Sequence, residues 1–293
     1  MENSNEQNPL NNQTKASLPI GIFDSGVGGL TVYRALHNRL PNEHFIYLGD
    51  TARVPYGTKS LATVERYAIE NAEFLASHGI KILVVACNTA SALALPKIRE
   101  KIGIDVVGVI GPGARKAVAM TRDRQNETNQ KIAVIATEAT VSSNAYALSI
   151  HQAEETAVVY QTACPLFVPL AEENWTKEPE TVSIAKKYLE KIKEFQPDAL
   201  VLGCTHYPIL REVIQQTVGE NVTLIDSGEA CAEEVEQLLD FKELKNPQKI
   251  EGERTLCDDL DHFYVTDAAE RFARVAERFL GSQPAKLEAI ELY

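Results

Sequence analysis

The stretch VVACNTASAL (84–93) carries an apolar run up to a cysteine and continues in small polar residues, and VLGCTHYPIL (201–210) repeats the pattern. Each reads as a short buried strand that stops at its cysteine. Around the first lie strand-like runs near 20–24, 44–48, 81–86 and 106–110, with helical patterns near 28–40, 60–78 and 91–101. After the polar segment TRDRQNETNQ (121–130) the order starts again. Strands are expected near 131–136, 157–161, 198–203 and 222–226, and helices near 142–153, 180–195 and 207–218. Such alternation predicts a mostly parallel sheet covered on both faces. The first strand of one half ends at Asp24 and that of the other at Thr137, and the cysteines follow at similar distances. This agreement indicates an internal duplication of α/β class, giving two pseudo-symmetric, doubly wound, mostly parallel-sheet domains. Ligands of open sheets sit beyond the carboxyl ends of the strands, so two facing halves would put Cys87 and Cys204 on opposite walls of one cleft.

The expected domains are 19–111 together with 227–293, and 112–226. Beyond Ser227 come a helical stretch (229–240), the polar linker KELKNPQKIEGERT, the strand-like HFYVTD and the helix AAERFARVAERFL, a tail expected to return to the first half. Residues 1–18, rich in Asn, Gln and Ser, read as a disordered tail, without the basic and apolar regions of a signal peptide. With 293 residues and 44 % hydrophobic composition, each domain can build its own core. The net charge of −12, with no clustered Lys and Arg, argues against a nucleic-acid partner. No apolar run approaches the ~18 residues that span a bilayer, so no membrane partner is expected. The five cysteines are scattered and lack zinc-type spacing, which predicts free thiols, no metal and a reducing cytoplasm.

FDSGVGGL (23–30) follows a strand and opens a helix, and its glycines let backbone approach a ligand. It lacks the spacing of a P-loop or a dinucleotide fingerprint. VPYGTKS (54–60) is turn chemistry at the same cleft edge. A lone cysteine after a strand is usually a small buried hydrophobe. Two at matched positions, followed by Asn88 and Thr89 and by Thr205 and His206, point instead to function; Cys164, Cys231 and Cys257 lack such neighbours and read as structural. A hydrolase would leave one thiol idle, whereas inverting a carbon centre needs a base on one face and an acid on the other. An unperturbed thiol is only slightly ionised at neutral pH, so each needs a partner, and Asp24 and His206 are the candidates. An anion-binding protein without catalysis and a thiol redox protein are the other classes compatible with these features.

DSGVGGL, GDTARVPYG, VACNTAS, GCTHYP and IDSG, in this order over roughly residues 19 to 281, resemble glutamate racemase. The resemblance implies cofactor-independent interconversion of L- and D-glutamate in a cleft between two α/β domains, for bacterial peptidoglycan synthesis. It implies that Cys87 removes the α-proton of D-glutamate and Cys204 that of L-glutamate, with Asp24 assisting the first, and His206 and Glu172 the second. Substrate contacts would fall at Asp24, Ser25, Pro55, Tyr56, Gly57, Asn88, Thr89, Thr137, Thr140, Thr205 and His206. A homodimer and activation by a cell-wall nucleotide precursor belong to what the family implies. The nearest rival is an aspartate racemase of the same superfamily. ATEAT (136–140) departs from the pattern, with alanines where the family often has glycines, and Val54 stands where some members have a cysteine.

Overall fold

The structure, a computed structural model, describes residues 14–122 and 130–292. Strand β1 (Ile20–Asp24) leads through α1 (Leu30–Arg39) to β2 (Phe45–Gly49), and α2 (Leu61–Ser77) leads to β3 (Ile82–Val85). The short helices α3 (Asn88–Leu93) and α4 (Leu95–Lys101) precede β4 (Asp105–Gly108), and α5 (Ile110–Thr121) leads to the second run. That run comprises β5 (Lys131–Ala136), α6 (Glu138–Ser142), α7 (Ala145–Ala153), β6 (Val158–Ala163), α8 (Phe167–Glu172) and α9 (Pro179–Phe195). It closes with β7 (Ala199–Gly203), α10 (Arg211–Val218) and β8 (Thr223–Asp226). Then come α11 (Ser227–Phe241), β9 (His262–Val265), α12 (Ala269–Leu280) and β10 (Leu287–Ala289).

The strands form two sheets, ordered β10-β9-β2-β1-β3-β4 and β6-β5-β7-β8, with every pairing parallel. In both sheets the four strands of each run stand in the order second, first, third, fourth, so the duplication is written in the hydrogen bonding. Strands covered on both faces are largely apolar: IGIFD and ALVLG are wholly buried, and only Asp24 at the end of the first is charged. The strand order reverses beside β1 and beside β5, where connections leave on opposite sides and open a crevice at the carboxyl ends. Helix α11 packs on α1 of the first half and α5 of the second, joining the two runs. Among the described residues no helix is long and apolar enough to cross a membrane.

Several elements differ from expectation. The strand near 106–110 stops at Gly108, and α5 begins at once. Its glycines and proline obscure it in the sequence, yet Pro112 lies in the first turn, where no backbone N–H is required. The helix expected over 91–101 starts at Asn88, directly after Cys87, and breaks at Ala94. Of the expected tail, residues 1–13 lie outside the described residues, as do 123–129 of the polar segment. Residues 14–18 are packed rather than disordered: Ala16 is 4 % exposed, and its carbonyl accepts from Lys81 Nζ at 2.6 Å. Lys81 also donates to the Leu244 carbonyl at 2.8 Å and pairs with Glu43 at 2.5 Å, all in the interior.

Burial drives the Lys81 pKa down, and the Glu43 hydrogen bond and charge oppose this. Lys81→Met would leave Glu43 buried without its cationic partner, keeping only the Asn246 N–H at 2.8 Å, at a cost of about 3–5 kcal/mol. We expect a lower urea midpoint at constant slope; a midpoint equal to the parent's would show that the pair contributes nothing net.

Candidate active site

Both crevices receive their chemistry from the residues that follow β1, β3 and β7. On the first wall, Asp24 ends β1, fully buried, and its Oδ2 accepts from the Gly26 backbone N–H at 2.9 Å. Burial raises the Asp24 pKa, against the His206 charge and backbone donors at Gly29, Gly26 and Ser25. Cys87 stands at the N-terminal cap of α3 in an extended conformation (φ −64°, ψ 119°). Its thiol donates to Ser25 Oγ at 3.6 Å. Burial, and then the charge of Asp24, push the Cys87 thiol up to about 12, so it rests protonated.

The second wall is built differently. Cys204 Sγ lies 3.8 Å from His206 Nδ1, and His206 Nε2 lies 3.1 Å from Glu172 Oε1. Arg271 on α12 donates to Glu172 Oε2 at 3.0 Å, and Arg278 to the Glu172 carbonyl at 2.9 Å. Burial alone would lower the His206 pKa, but the hydrogen bonds to Cys204 and Glu172 outweigh it and raise it to about 10. Glu172 correspondingly stays below the ordinary carboxylate range, because His206 and Arg271 overcome its own desolvation. The result is an imidazolium held between a sulfur and a carboxylate. Gly28 makes this approach possible: a Cβ there would lie 2.3 Å from Thr205 Oγ1 and 2.5 Å from two ring atoms of His206.

Between the walls lies a cavity of about 220 Å³. From the first half it is lined by Ser25, Pro55, Tyr56, Gly57, Cys87, Asn88 and Thr89. Thr137, Glu172, Cys204, Thr205 and His206 line it from the second. Asp24 and Thr140 stand one layer behind. Asp24 Oδ1 is 3.5 Å from Thr205 Oγ1, and the Thr140 hydroxyl lies 3.3 Å from that of Thr89 and 3.0 Å from that of Thr137. Tyr56 is fixed from behind by its bond to Asp50, which also accepts from Arg53 Nε on both oxygens, at 2.8 and 2.7 Å. Cys164, Cys231 and Cys257 are buried elsewhere as free thiols. Sequence reasoning missed the apolar side formed by Pro165, Val168 and Pro169. The prolines bracketing that short run were the available signal. It also missed Arg271, which sits in an otherwise ordinary amphipathic helix.

The family model for Asp/Glu/Hydantoin racemase matches residues 20–235. A glutamate racemase of Geobacter metallireducens is 49 % identical over 273 residues, 93 % of this chain and 96 % of the relative. The chain belongs to the glutamate racemase family. Solved glutamate racemases share its architecture. That of Francisella tularensis, in complex with D-glutamate, is 39 % identical with TM-score 0.83, over 94 % of this chain and 98 % of that one. That of Escherichia coli, in complex with L-glutamate and the activator UDP-MurNAc-Ala, is 29 % identical with TM-score 0.72, over 94 % and 99 %.

Two outcomes follow for this glutamate racemase family member. Gly28→Ala must displace His206 or Thr205, and a misplacement near 1 Å costs roughly a hundredfold in rate. Racemase assays should show that loss with the fold retained by circular dichroism; undiminished turnover would place His206 outside the working site. The His206 pKa, near 6.5 when unperturbed and about 10 in the fold, gives stability that is full below pH 6.5 and lost as pH rises through about 10. Glu172→Gln should lower the imidazole titration seen by ¹⁵N NMR and shrink the parent's loss of stability between pH 7 and 10. An unchanged titration would remove Glu172 from the relay.

Proposed function

We propose that this chain racemises glutamate without a cofactor, by proton transfer between Cys87 and Cys204 across the cavity. The observation carrying the reading is the pair of buried thiols on opposite walls, one held protonated and the other beside an imidazolium. A cation next to a sulfur favours its thiolate. With L-glutamate bound, the Cys204 thiolate takes the α-proton and becomes a thiol, and the electron pair stays on the α-carbon. The Cys87 thiol then gives its proton to the opposite face, forming D-glutamate and leaving a thiolate at Cys87. The reverse reaction starts from that state. Asp24, whose pKa burial raises, is placed to return a proton on the Cys87 side, and His206 with Glu172 serves the Cys204 side. Positioned acids and bases of this kind contribute about 10²–10⁴ each. Hydroxyl and amide groups at Ser25, Asn88, Thr89, Thr137 and Thr205 supply donors for the substrate's carboxylates, with Pro55, Tyr56 and Gly57 closing one side.

In this reading the product serves peptidoglycan synthesis in the cytoplasm, and the active form is a homodimer. The E. coli relative's complex with UDP-MurNAc-Ala motivates asking whether a cell-wall nucleotide precursor activates this chain as well.

The test is incubation with L-glutamate in D2O, following optical rotation and the α-proton NMR signal. D-glutamate should accumulate with deuterium at the α-carbon. Cys87→Ala and Cys204→Ala should each abolish racemisation, while Cys164→Ala, Cys231→Ala and Cys257→Ala retain it. Full turnover by Cys204→Ala would sink the two-thiol mechanism, and turnover of aspartate in place of glutamate would move the chain's substrate within the superfamily.

A further inference from the structure

One buried contact between the two halves has no task in the chemistry above. Tyr146, on α7, is fully buried, and its hydroxyl donates to Asn88 Oδ1 at 2.6 Å. Asn88 opens α3 directly after Cys87, is 3 % exposed and lines the cavity. The tyrosine ring is seated against two glycines from separate elements. A Cβ at Gly203, the residue before Cys204, would come within 2.9 Å of Tyr146 Cε2, and one at Gly113 on α5 would lie 3.5 Å from Cε1 and the hydroxyl. The ring therefore has one seat, where its hydroxyl meets Asn88 with the Ser227 side chain also within hydrogen-bond reach.

A carboxamide presents an acceptor on one side and donors on the other, and a half-turn exchanges them. Tyr146 occupies the acceptor side. Burial raises the pKa of its phenol, so its proton stays in place. Among the described residues, Asn88 Nδ2 is buried and has no hydrogen-bond partner. A buried donor without a partner is costly, and it becomes satisfied when an acceptor enters the cavity. A half-turned amide would offer the incoming carboxylate an oxygen, which repels it.

We propose that Tyr146 is a positioning residue: its hydroxyl locks the Asn88 carboxamide so that the NH2 group is the one presented to the substrate carboxylate. The proposal rests on the reading of Asn88 as a substrate contact. Since the lock runs from one half to the other, the amide is oriented only when the two halves are in register. The interaction serves ground state and transition state alike, so its loss raises KM and leaves kcat little changed.

The experiment is steady-state racemisation of L- and D-glutamate by the full chain, with Tyr146→Phe, Asn88→Ala and the double variant. Phe keeps the ring in its seat and removes only the hydroxyl. Tyr146→Phe should raise KM about tenfold for both enantiomers, the scale of one hydrogen bond, with kcat within about twofold. Tyr146→Phe added to Asn88→Ala should have no further effect, because the hydroxyl acts through the amide. A parental KM in Tyr146→Phe beside a raised KM in Asn88→Ala would overturn the lock alone. Additive effects in the double variant would also overturn it, by showing that the hydroxyl acts elsewhere. A parental KM in Asn88→Ala would overturn both the lock and the substrate contact beneath it.

Discussion

The site depends on one topological constraint, the repeated strand order of second, first, third, fourth in two parallel sheets. Each sheet opens a crevice where its order reverses, and the residues that leave the first and third strands fall at its mouth. Asp24 and Cys87 come from one such pair, and Thr137 and Cys204 from the other. Opposed thiols are therefore a consequence of duplicating one unit and facing the copies together. What the duplication does not provide is close approach, and here the contact of Gly28 with His206 and Thr205 is decisive. A side chain at that position would hold the walls apart.

Topological symmetry does not extend to the electrostatics. On the Cys87 side an anionic group stands near the thiol, and burial and repulsion together favour the protonated sulfur. On the Cys204 side the neighbour is a histidine whose charge is sustained by Glu172, itself held by Arg271. Two like cysteines in the same strand-end position thus stand in different surroundings. In the proposed transfer between the two sulfurs, this difference in surroundings lets one give a proton while the other takes one. The duplication supplied the geometry, and divergence of the flanking residues supplied the asymmetry between the two walls.

All eight strands of the two runs were legible in the sequence, most of them because a strand buried on both faces is largely apolar, and edge strand β6 through its valines and tyrosine. The helices were less so. Helix α5 hides behind glycines and a proline that its first turn tolerates, and β10 is too short to leave a pattern. Cys87, Cys204 and His206 stood out because polar residues interrupt an apolar run at a repeated position. Glu172 gave no such signal, and only the structure shows its bond to His206. Arg271 and Tyr146 were invisible for a related reason. Each acts on a residue far away in sequence, and no motif marks the helix around either.

The contacts between the halves gather around the cavity, and most engage a group that also shapes its wall. Thr31 Oγ1 donates to the Thr205 carbonyl at 2.8 Å, Thr89 meets Thr137 at 3.0 Å, Tyr146 meets Asn88, and Arg271 meets Glu172. Buried polar groups demand partners, and here Thr31, Thr89 and Tyr146 find theirs in the opposite half. The same bonds therefore satisfy the desolvated groups and set the angles at which they face a substrate. Packing of α11 on α1 and α5 holds the halves together away from the cavity, through apolar contacts flanked by the ion pairs Lys116–Glu233 and Arg115–Glu234. Adhesion and alignment are thus assigned to different parts of the interface. A polar substitution at the cavity rim can disturb alignment while the apolar seam keeps the chain folded.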